Sequence, residues 1–224
     1  MINTVCFDLD ATLVDSEEVI LRAFDHAFEE CMPEKRRDLL GYREFMGPIL
    51  KDTFERFTSD PKLVQKMIDS YLDYYPKIEL DIIKLYPGVI EAMEYLKKNG
   101  YNICLVTNKF LSSALPSITH LGIKQYFNDF IPLDRQEMPK PSPLPLLTAC
   151  LDYKVKPEQV LMVGDNMVDM ECAKRAGTKS ALVMWNDWSD SCVQSNPDYF
   201  IYQMTDLINI LEMEANKSCV FFVK

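Results

Sequence analysis

The sequence predicts an α/β fold, a doubly wound parallel sheet with a separate helical domain inserted after its first strand. Three observations lead there. Short apolar runs recur without polar alternation, as in strands covered on both faces. Each leads into a stretch with apolar residues at helical spacing. The exception is the first run, after which a helical pattern continues over residues 16–84 before the next strand arrives.

In chain order, Val5-Cys6-Phe7 is the first strand and ends at Asp8. Residues 16–84 read as helix throughout, with Val19, Ile20, Ala23, Phe24, Ala27 and Phe28, and later Leu63, Val64, Met67, Ile68, Tyr71 and Leu72, on apolar faces. That is too long for one crossover connection, so it reads as an insertion, with Leu85-Tyr86-Pro87-Gly88 marking the return. The core is therefore expected over residues 1–15 and 85–224 and the helical domain over 16–84. Alternation then resumes. Helices are predicted over 89–98, 111–121, 143–151, 167–175 and 205–214. Between them lie strands at Ile103-Cys104-Leu105-Val106 and Val160-Leu161-Met162-Val163, weaker ones at Phe130-Ile131-Pro132-Leu133 and Ala181-Leu182-Val183-Met184-Trp185, and a last one at Tyr199-Phe200-Ile201. Gly100, Gly122 and Gly177 stand just past three of the helices, where a C-cap calls for glycine. The apolar tail Cys219-Val220-Phe221-Phe222-Val223 reads as an edge strand or a contact.

Composition narrows the function classes. Hydrophobic residues make up 48% of the 224, enough for a true core. The net charge is 24 − 34 = −10. It is evenly spread: residues 15–84 hold 16 acids and 11 bases, the remainder 18 and 13, so each set carries −5. With no basic half, neither nucleic acid nor an anionic membrane is the expected partner. An acidic protein that handles anions then needs local help from a metal ion, backbone N–H groups or a few placed lysines. Seven dispersed cysteines without a C-x-x-C pair read as reduced thiols. No charged and apolar leader and no apolar run near ~18 residues is visible. The expectation is a soluble, cytoplasmic protein.

In an open α/β sheet, ligands sit beyond the carboxyl ends of the strands. After the first strand comes Asp8-Leu9-Asp10-Ala11-Thr12. Residues i and i+2 of an extended segment point the same way, so both carboxylates can address one site. Carboxylates that close repel unless a cation neutralises them or one keeps a proton, which suggests a hard divalent metal such as Mg2+. After a later strand, Gly164-Asp165-Asn166-Met167-Val168-Asp169 offers two more carboxylates at i,i+4, although an Asp at a helix start is also an ordinary cap. Thr107-Asn108-Lys109 offers a hydroxyl and free backbone N–H groups at a helix start, an anion site or an ordinary cap. Lys140, between Pro139 and Pro141, is an ammonium in a stiffened loop. Each motif alone has a bland explanation. Together they place a metal site, an anion site and an Asp nucleophile on one sheet edge, a set that suits phosphoryl transfer.

These motifs resemble a known family. Phe7-Asp8-Leu9-Asp10-Ala11-Thr12-Leu13-Val14-Asp15-Ser16 is similar to the first motif of the haloacid dehalogenase-like phosphatase superfamily, and Thr107-Asn108-Lys109, Lys140-Pro141 and Gly164-Asp165-x-x-x-Asp169 resemble its second, third and fourth motifs in order. The helical insertion resembles that superfamily's C1-type cap, as in phosphoglycolate phosphatase-like members. The resemblance implies a Rossmann-like core under a cap, with Asp8 as nucleophile and Asp10 as general acid/base. It implies Mg2+ held by Asp8, the backbone carbonyl of Asp10, and Asp165, with Asp169 supporting the site. It gives Thr107, Asn108 and Lys140 the phosphoryl group. The residues by themselves do not choose between Asp8 and Asp10 as nucleophile. One departure stands out: Ala11 occupies a position where the family usually has Gly.

The implied activity is hydrolysis of a small soluble phosphate monoester. A β-phosphoglucomutase-like phosphotransferase is the alternative, against which Leu50 stands where those mutases carry a phosphate-binding Arg. A catalytically silent binding protein of the same fold is a third reading. Asp10 speaks against both a 2-haloacid dehalogenase and a phosphonatase, which lack that acid. Arg22, Tyr42, Arg43 and Lys51 are the candidates for cap residues facing substrate. Phe45, Phe54, Phe57, Tyr71, Tyr74 and Tyr75 read as cap core, and His26 and His120 receive no role. Lys109 is suggestive of phosphoglycolate phosphatase-like members, and the oligomeric state is not readable.

Overall fold

The computed structural model describes residues 1–219, with the side chains of the last two of these left aside. The elements run β1 (Thr4–Phe7), β2 (Val14–Asp15), α1 (Glu17–Cys31), α2 (Leu50–Phe54), α3 (Pro61–Ile82), β3 (Lys84–Leu85), α4 (Val89–Lys98), β4 (Asn102–Val106), α5 (Leu111–His120), β5 (Asp129–Ile131), α6 (Leu144–Tyr153), β6 (Val160–Gly164), α7 (Met167–Ala176), β7 (Lys179–Val183), α8 (Ser189–Cys192), β8 (Tyr199–Ile201) and α9 (Asp206–Cys219). Six strands form one sheet in the order β5-β4-β1-β6-β7-β8, every neighbouring pair parallel. The topology reverses at β1, which pairs with β4 on one side and β6 on the other. That is where an open α/β sheet opens a crevice for a ligand.

The central strands are apolar over most of their length because both faces are covered. Val5 and Phe7 pack on one face with Ile103, Leu105, Leu161 and Val163, while Cys6 packs on the other with Cys104, Val106, Val160 and Met162. The six cysteines described are all free, and most are core residues. Gly100, Gly122 and Gly177 have φ of +75°, +70° and +72° at the ends of their helices, the left-handed geometry a C-cap uses. Among the described residues no helix is long and apolar enough to cross a membrane.

Residues 16–84 are not helix throughout. Between α1 and α3 the chain makes two 3-10 segments, Pro33–Lys35 and Leu39–Phe45, and the short α2. Pro33, Gly41 and the Gly47-Pro48 pair break the pattern, and apolar residues three apart, such as Tyr42 and Phe45, fit a 3-10 turn as well as an α-helix. The segment has an aromatic heart: Phe24 lies 4.9 Å from Tyr71 and 5.4 Å from Phe45, centroid to centroid, and Phe28 lies 4.9 Å from Phe57. A two-residue antiparallel ribbon, unforeseen in the sequence, pairs Val14 with Leu85 and Asp15 with Lys84. The weaker strands are shorter or shifted: β5 stops at Ile131 before Pro132, and β7 starts at Lys179 and ends at Val183. The apolar tail beyond Cys219, from Val220 to Val223, lies outside the described residues.

Candidate active site

The site grows from the end of β1. The Leu9 carbonyl accepts from the N–H groups of Leu13 (2.9 Å) and Val14 (3.0 Å), and the Ala11 N–H donates to the Val14 carbonyl at 2.7 Å. This tight turn puts Ala11 at φ +59°, the left-handed region that glycine favours. Its carbonyl accepts from Trp185 Nε1 (3.1 Å) and Asn186 Nδ2 (2.9 Å), and its methyl group is fully buried. Asp8 and Asp10 leave this turn at the switch point of the sheet.

The next two carboxylates follow β6. A side chain at Gly164 would collide with Asp169, so glycine is required for the approach. Asn166 and Asp169 form a reciprocal cap on α7: the Asn166 side chain accepts from Val168 N–H, and Asp169 Oδ2 accepts from Asn166 N–H at 3.1 Å. Asp165 accepts from the Thr12 hydroxyl and from Trp188 Nε1, both at 3.0 Å. Oxygens of Asp8, Asp165 and Asp169 thereby lie within 4.8 Å of one another.

Lys140 crosses beneath them. Its ammonium donates to Asp8 Oδ1 at 2.7 Å, Asp169 Oδ1 at 2.6 Å and the Val106 carbonyl at 2.9 Å, and the residue is only 3% exposed. Burial pushes that ammonium toward neutrality, but Asp169 and Asp8 outweigh it and hold its pKa above the usual lysine value. Burial drives Asp8 the other way: despite Lys140, with Asp169 and Asp10 adding repulsion, it is raised to about 6. Asp165 is raised well above the ordinary carboxylate range, by burial and then by Asp169 and Asp8, against the donors from Trp188 and Thr12. Three carboxylates facing one ammonium leave an excess of 3 − 1 = 2 negative charges when ionised. The charge and the hard oxygen donors fit a divalent cation.

Thr107, Asn108 and Lys109 form the bend between β4 and α5 rather than the first turn of the helix, which starts at Leu111. Asn108 ties the bend to the Lys140 loop: its Oδ1 accepts from Lys140 N–H and its Nδ2 donates to the Lys140 carbonyl, each at 3.0 Å. Nδ2 also lies 3.2 Å from the Gly47 carbonyl of the helical segment. Lys109 reaches α3, donating to the Tyr75 hydroxyl at 2.7 Å and pairing with Glu79 at 3.1 Å, while Asp10 lies 3.4 Å away.

All eight motif residues border one cavity of about 440 Å3, with Asp8, Asp10, Thr107, Asn108, Lys109, Lys140, Asp165 and Asp169 on the sheet side. Ile20, Phe24, Ile68, Tyr71, Leu72 and Tyr75 close it from the helical segment. Of the four cap candidates only Lys51 lines it. Arg22 pairs with Glu18 on the surface, and Arg43 is taken up by Glu17 and by Asp187 at 2.6 Å. Tyr42 is fully buried, its hydroxyl donating to Asp25 and accepting from Arg37 N–H. Glu79 is not among the expected site residues, and Tyr71 and Tyr75, core residues as expected, also line the cavity. A visible signal existed for Glu79: it lies four residues after Tyr75 and seven after Leu72, an acid on an apolar stripe. Trp185, Asn186 and Trp188 had none, since they act through a loop that folding brings beside the site.

Carboxylates after two strand ends, a buried lysine and a polar bend thus meet at one switch point of a parallel α/β sheet, the setting of an enzyme site. The chain belongs to the haloacid dehalogenase-like hydrolase family, whose profile matches residues 5–183. Among its curated relatives, "Pyrophosphatase PpaX" of Halalkalibacterium halodurans is 36% identical over 217 residues, covering 96% of this chain and 99% of that protein. A predicted phosphatase from Clostridium acetobutylicum is similar in structure at a TM-score of 0.84 and 25% identity, covering 95% of this chain and 99% of that one. A predicted phosphoglycolate phosphatase from Haemophilus somnus shares the fold at a TM-score of 0.82 and 24% identity, covering 94% and 98%.

Proposed function

We propose that the protein is a Mg2+-dependent phosphatase that hydrolyses a small soluble phosphate monoester through an aspartyl-phosphate on Asp8. The observation that carries this reading is the position of Asp8, at the switch point, 2.7 Å from Lys140 and within one carboxylate cluster with Asp165 and Asp169. Asp8, the Asp10 carbonyl and Asp165 would hold Mg2+, with Asp169 in support. The ion would screen the crowded carboxylates and the charge that develops on the transferred group.

In the first half-reaction an Asp8 oxygen attacks phosphorus, the bond from phosphorus to the leaving oxygen breaks, and the Asp10 carboxyl gives that oxygen its proton. In the second, water attacks phosphorus and the Asp10 carboxylate takes its proton. Asp8 is released with inorganic phosphate, and both aspartates return to their starting state. Thr107, the Asn108 backbone and Lys140 hold the phosphoryl oxygens meanwhile. Residues 16–84 form the cap over a core of residues 1–15 and 85–224, and the β2–β3 ribbon is the crossing between them. Closing that cap excludes water from the phosphoryl group. The protein is read as cytoplasmic, with a soluble small molecule rather than nucleic acid or membrane as its partner.

The relatives called pyrophosphatase favour a second reading in which inorganic pyrophosphate is the substrate. The mutase reading is weaker, because Leu50 lines the cavity and offers no charge to a second phosphate. The test is phosphate release with Mg2+ across phosphoglycolate, pyrophosphate, sugar phosphates and nucleotides. Turnover is expected to need Mg2+, to stop with chelator, and to fall by roughly 10^4 or more in Asp8→Asn, as for loss of a nucleophile. Isomerisation of glucose 1-phosphate without net phosphate release would overturn the reading. So would a folded wild-type protein that releases no phosphate from any of the panel, which would favour the silent binding protein.

A further inference from the structure

We propose that the alcohol part of the substrate is uncharged and apolar, a short alkyl chain or a single ring, and that inorganic pyrophosphate is not what the cavity accommodates. This rests on the phosphatase reading above and names its substrate class. Two properties of the cavity carry it.

The first is charge. Four aspartates and three lysines line the cavity, 3 − 4 = −1 when all are ionised. Two of the three ammonium groups, those of Lys140 and Lys109, are already engaged by buried partners. Lys140 is held by Asp8 and Asp169 beneath the reacting position. Lys109 is bound to Glu79 and Tyr75, sits 4.3 Å from the centre of the Tyr75 ring, and has Asp10 at 3.4 Å. Lys51 pairs with Glu55 at the solvent-exposed rim. A bound divalent ion would answer the excess charge of Asp8, Asp165 and Asp169. A leaving group that is itself a phosphate or a carboxylate would therefore find only the exposed Lys51 ammonium at the rim to meet it.

The second is the wall above the phosphoryl position. Ile20, Phe24, Ile68, Leu72, Tyr75 and Phe110 supply it. Ile68, Leu72 and Tyr75 come from one face of α3, three and four residues apart. The cavity's ≈ 440 Å3 is room for roughly fifteen water molecules at about 30 Å3 each. An uncharged ring or alkyl chain displaces that water against apolar side chains, whereas a second phosphate would be stripped of water by them.

Two measurements on the wild-type protein with Mg2+ present test this. The first is kcat/KM along methyl, ethyl, propyl and butyl phosphate, with pyrophosphate and phosphoglycolate for comparison. Primary alcohols leave with similar ease, so the trend reads the wall. An increase of about fourfold per methylene is expected, from the usual benefit of burying one such group. Pyrophosphate and phosphoglycolate should fall at least tenfold below butyl phosphate. The second is calorimetric binding of the matching alkylphosphonates, which are not hydrolysed, against pyrophosphate. Affinity should rise along the series by the same factor.

A flat or falling series, or pyrophosphate or phosphoglycolate preferred over butyl phosphate, overturns the inference and leaves the phosphatase reading standing. Tightening phosphonate affinity in a protein that turns nothing over supports the inference and removes the phosphatase reading instead.

Discussion

The floor of the cavity and its roof are built on opposite rules. On the floor, supplied by the strand ends, polar groups are fixed by named partners: Lys140 by Asp8 and Asp169, Asp165 by Thr12 and Trp188, Asn108 by the backbone N–H and carbonyl of Lys140. The roof, supplied by α1, α3 and residues 45–51, is mostly apolar and aromatic side chains held mainly by packing, with Gln65 and Lys51 as polar exceptions. A floor of this kind is intolerant, because removing one group strands another in a dry place. A roof of this kind tolerates exchange of shape for shape, because a packed apolar surface loses little when volume is kept. On the proposed function, the chemistry belongs to the first region and the choice of substrate to the second.

Lys140→Met tests the contrast hardest. It removes the ammonium shared by Asp8 and Asp169 and leaves two carboxylates facing each other without a counter-charge. Breaking a buried pair this way costs about 3–5 kcal/mol, which for a chain of this length lowers Tm by roughly 6–20 °C. The sign of the pH dependence follows from Asp8, already raised to about 6 with the ammonium present. A carboxylate whose folded pKa lies above its unfolded value favours the folded state at low pH, and that advantage is lost as pH rises through the folded pKa. The Tm gap between variant and wild type should therefore narrow as the pH is lowered below 6. A gap under ~3 °C at neutral pH would mean that the floor is not held as described.

Glu79→Gln probes a place where roof and floor are joined by charge. Glu79 is 2% exposed and accepts from Lys109 and from the Ser117 hydroxyl. Glutamine keeps the volume and one acceptor oxygen but leaves Lys109 with only Asp10 as a charged partner. A loss of roughly 1–3 kcal/mol is expected for a hydrogen bond to a charged group, a fall of about 2–12 °C in Tm. Leu72→Met, on the same helix but in the apolar part, should cost less than ~1.5 kcal/mol. Equal losses in the two variants would erase the distinction between the tie and the rest of the roof.

The same division explains what could be read from the chain beforehand. The floor was legible because its residues follow strand ends: Asp8 and Asp10 are two apart on an extended segment, and Asp165 and Asp169 stand one helical turn apart behind Gly164. Local geometry nearly determined where such side chains point. In the roof, helical spacing marks the apolar face of α3 but does not show that Tyr71 and Tyr75, buried in the core as expected, also line the cavity. Arg22 pairs with Glu18 one helical turn back, which helical spacing allows, but Tyr42 and Arg43 are taken up by partners farther off in sequence: Asp187 lies 144 residues from Arg43. Such pairings depend on tertiary approach, which periodicity does not encode.

Ala11→Gly gives the smallest expected effect, and it is informative because three terms nearly cancel. Ala11 lies at φ +59°, where a Cβ costs about 1–2 kcal/mol that glycine would recover. Against this, glycine loses more freedom on folding, about 0.5–1 kcal/mol. The buried methyl group, fully enclosed in the main core, contributes on the order of 0.8 kcal/mol that would be forfeited. The balance lies within about 1 kcal/mol of zero by these terms, so thermal denaturation should place the variant within roughly 3 °C of wild type. The donors from Trp185 and Asn186 hold the Ala11 carbonyl in either case. Removing that support instead, in Asn186→Ala, should cost about 0.5–1.5 kcal/mol. If Ala11→Gly raised Tm by well over 3 °C, the turn would be strained without compensation, and the packing of its methyl group would count for less than the buried core around it implies.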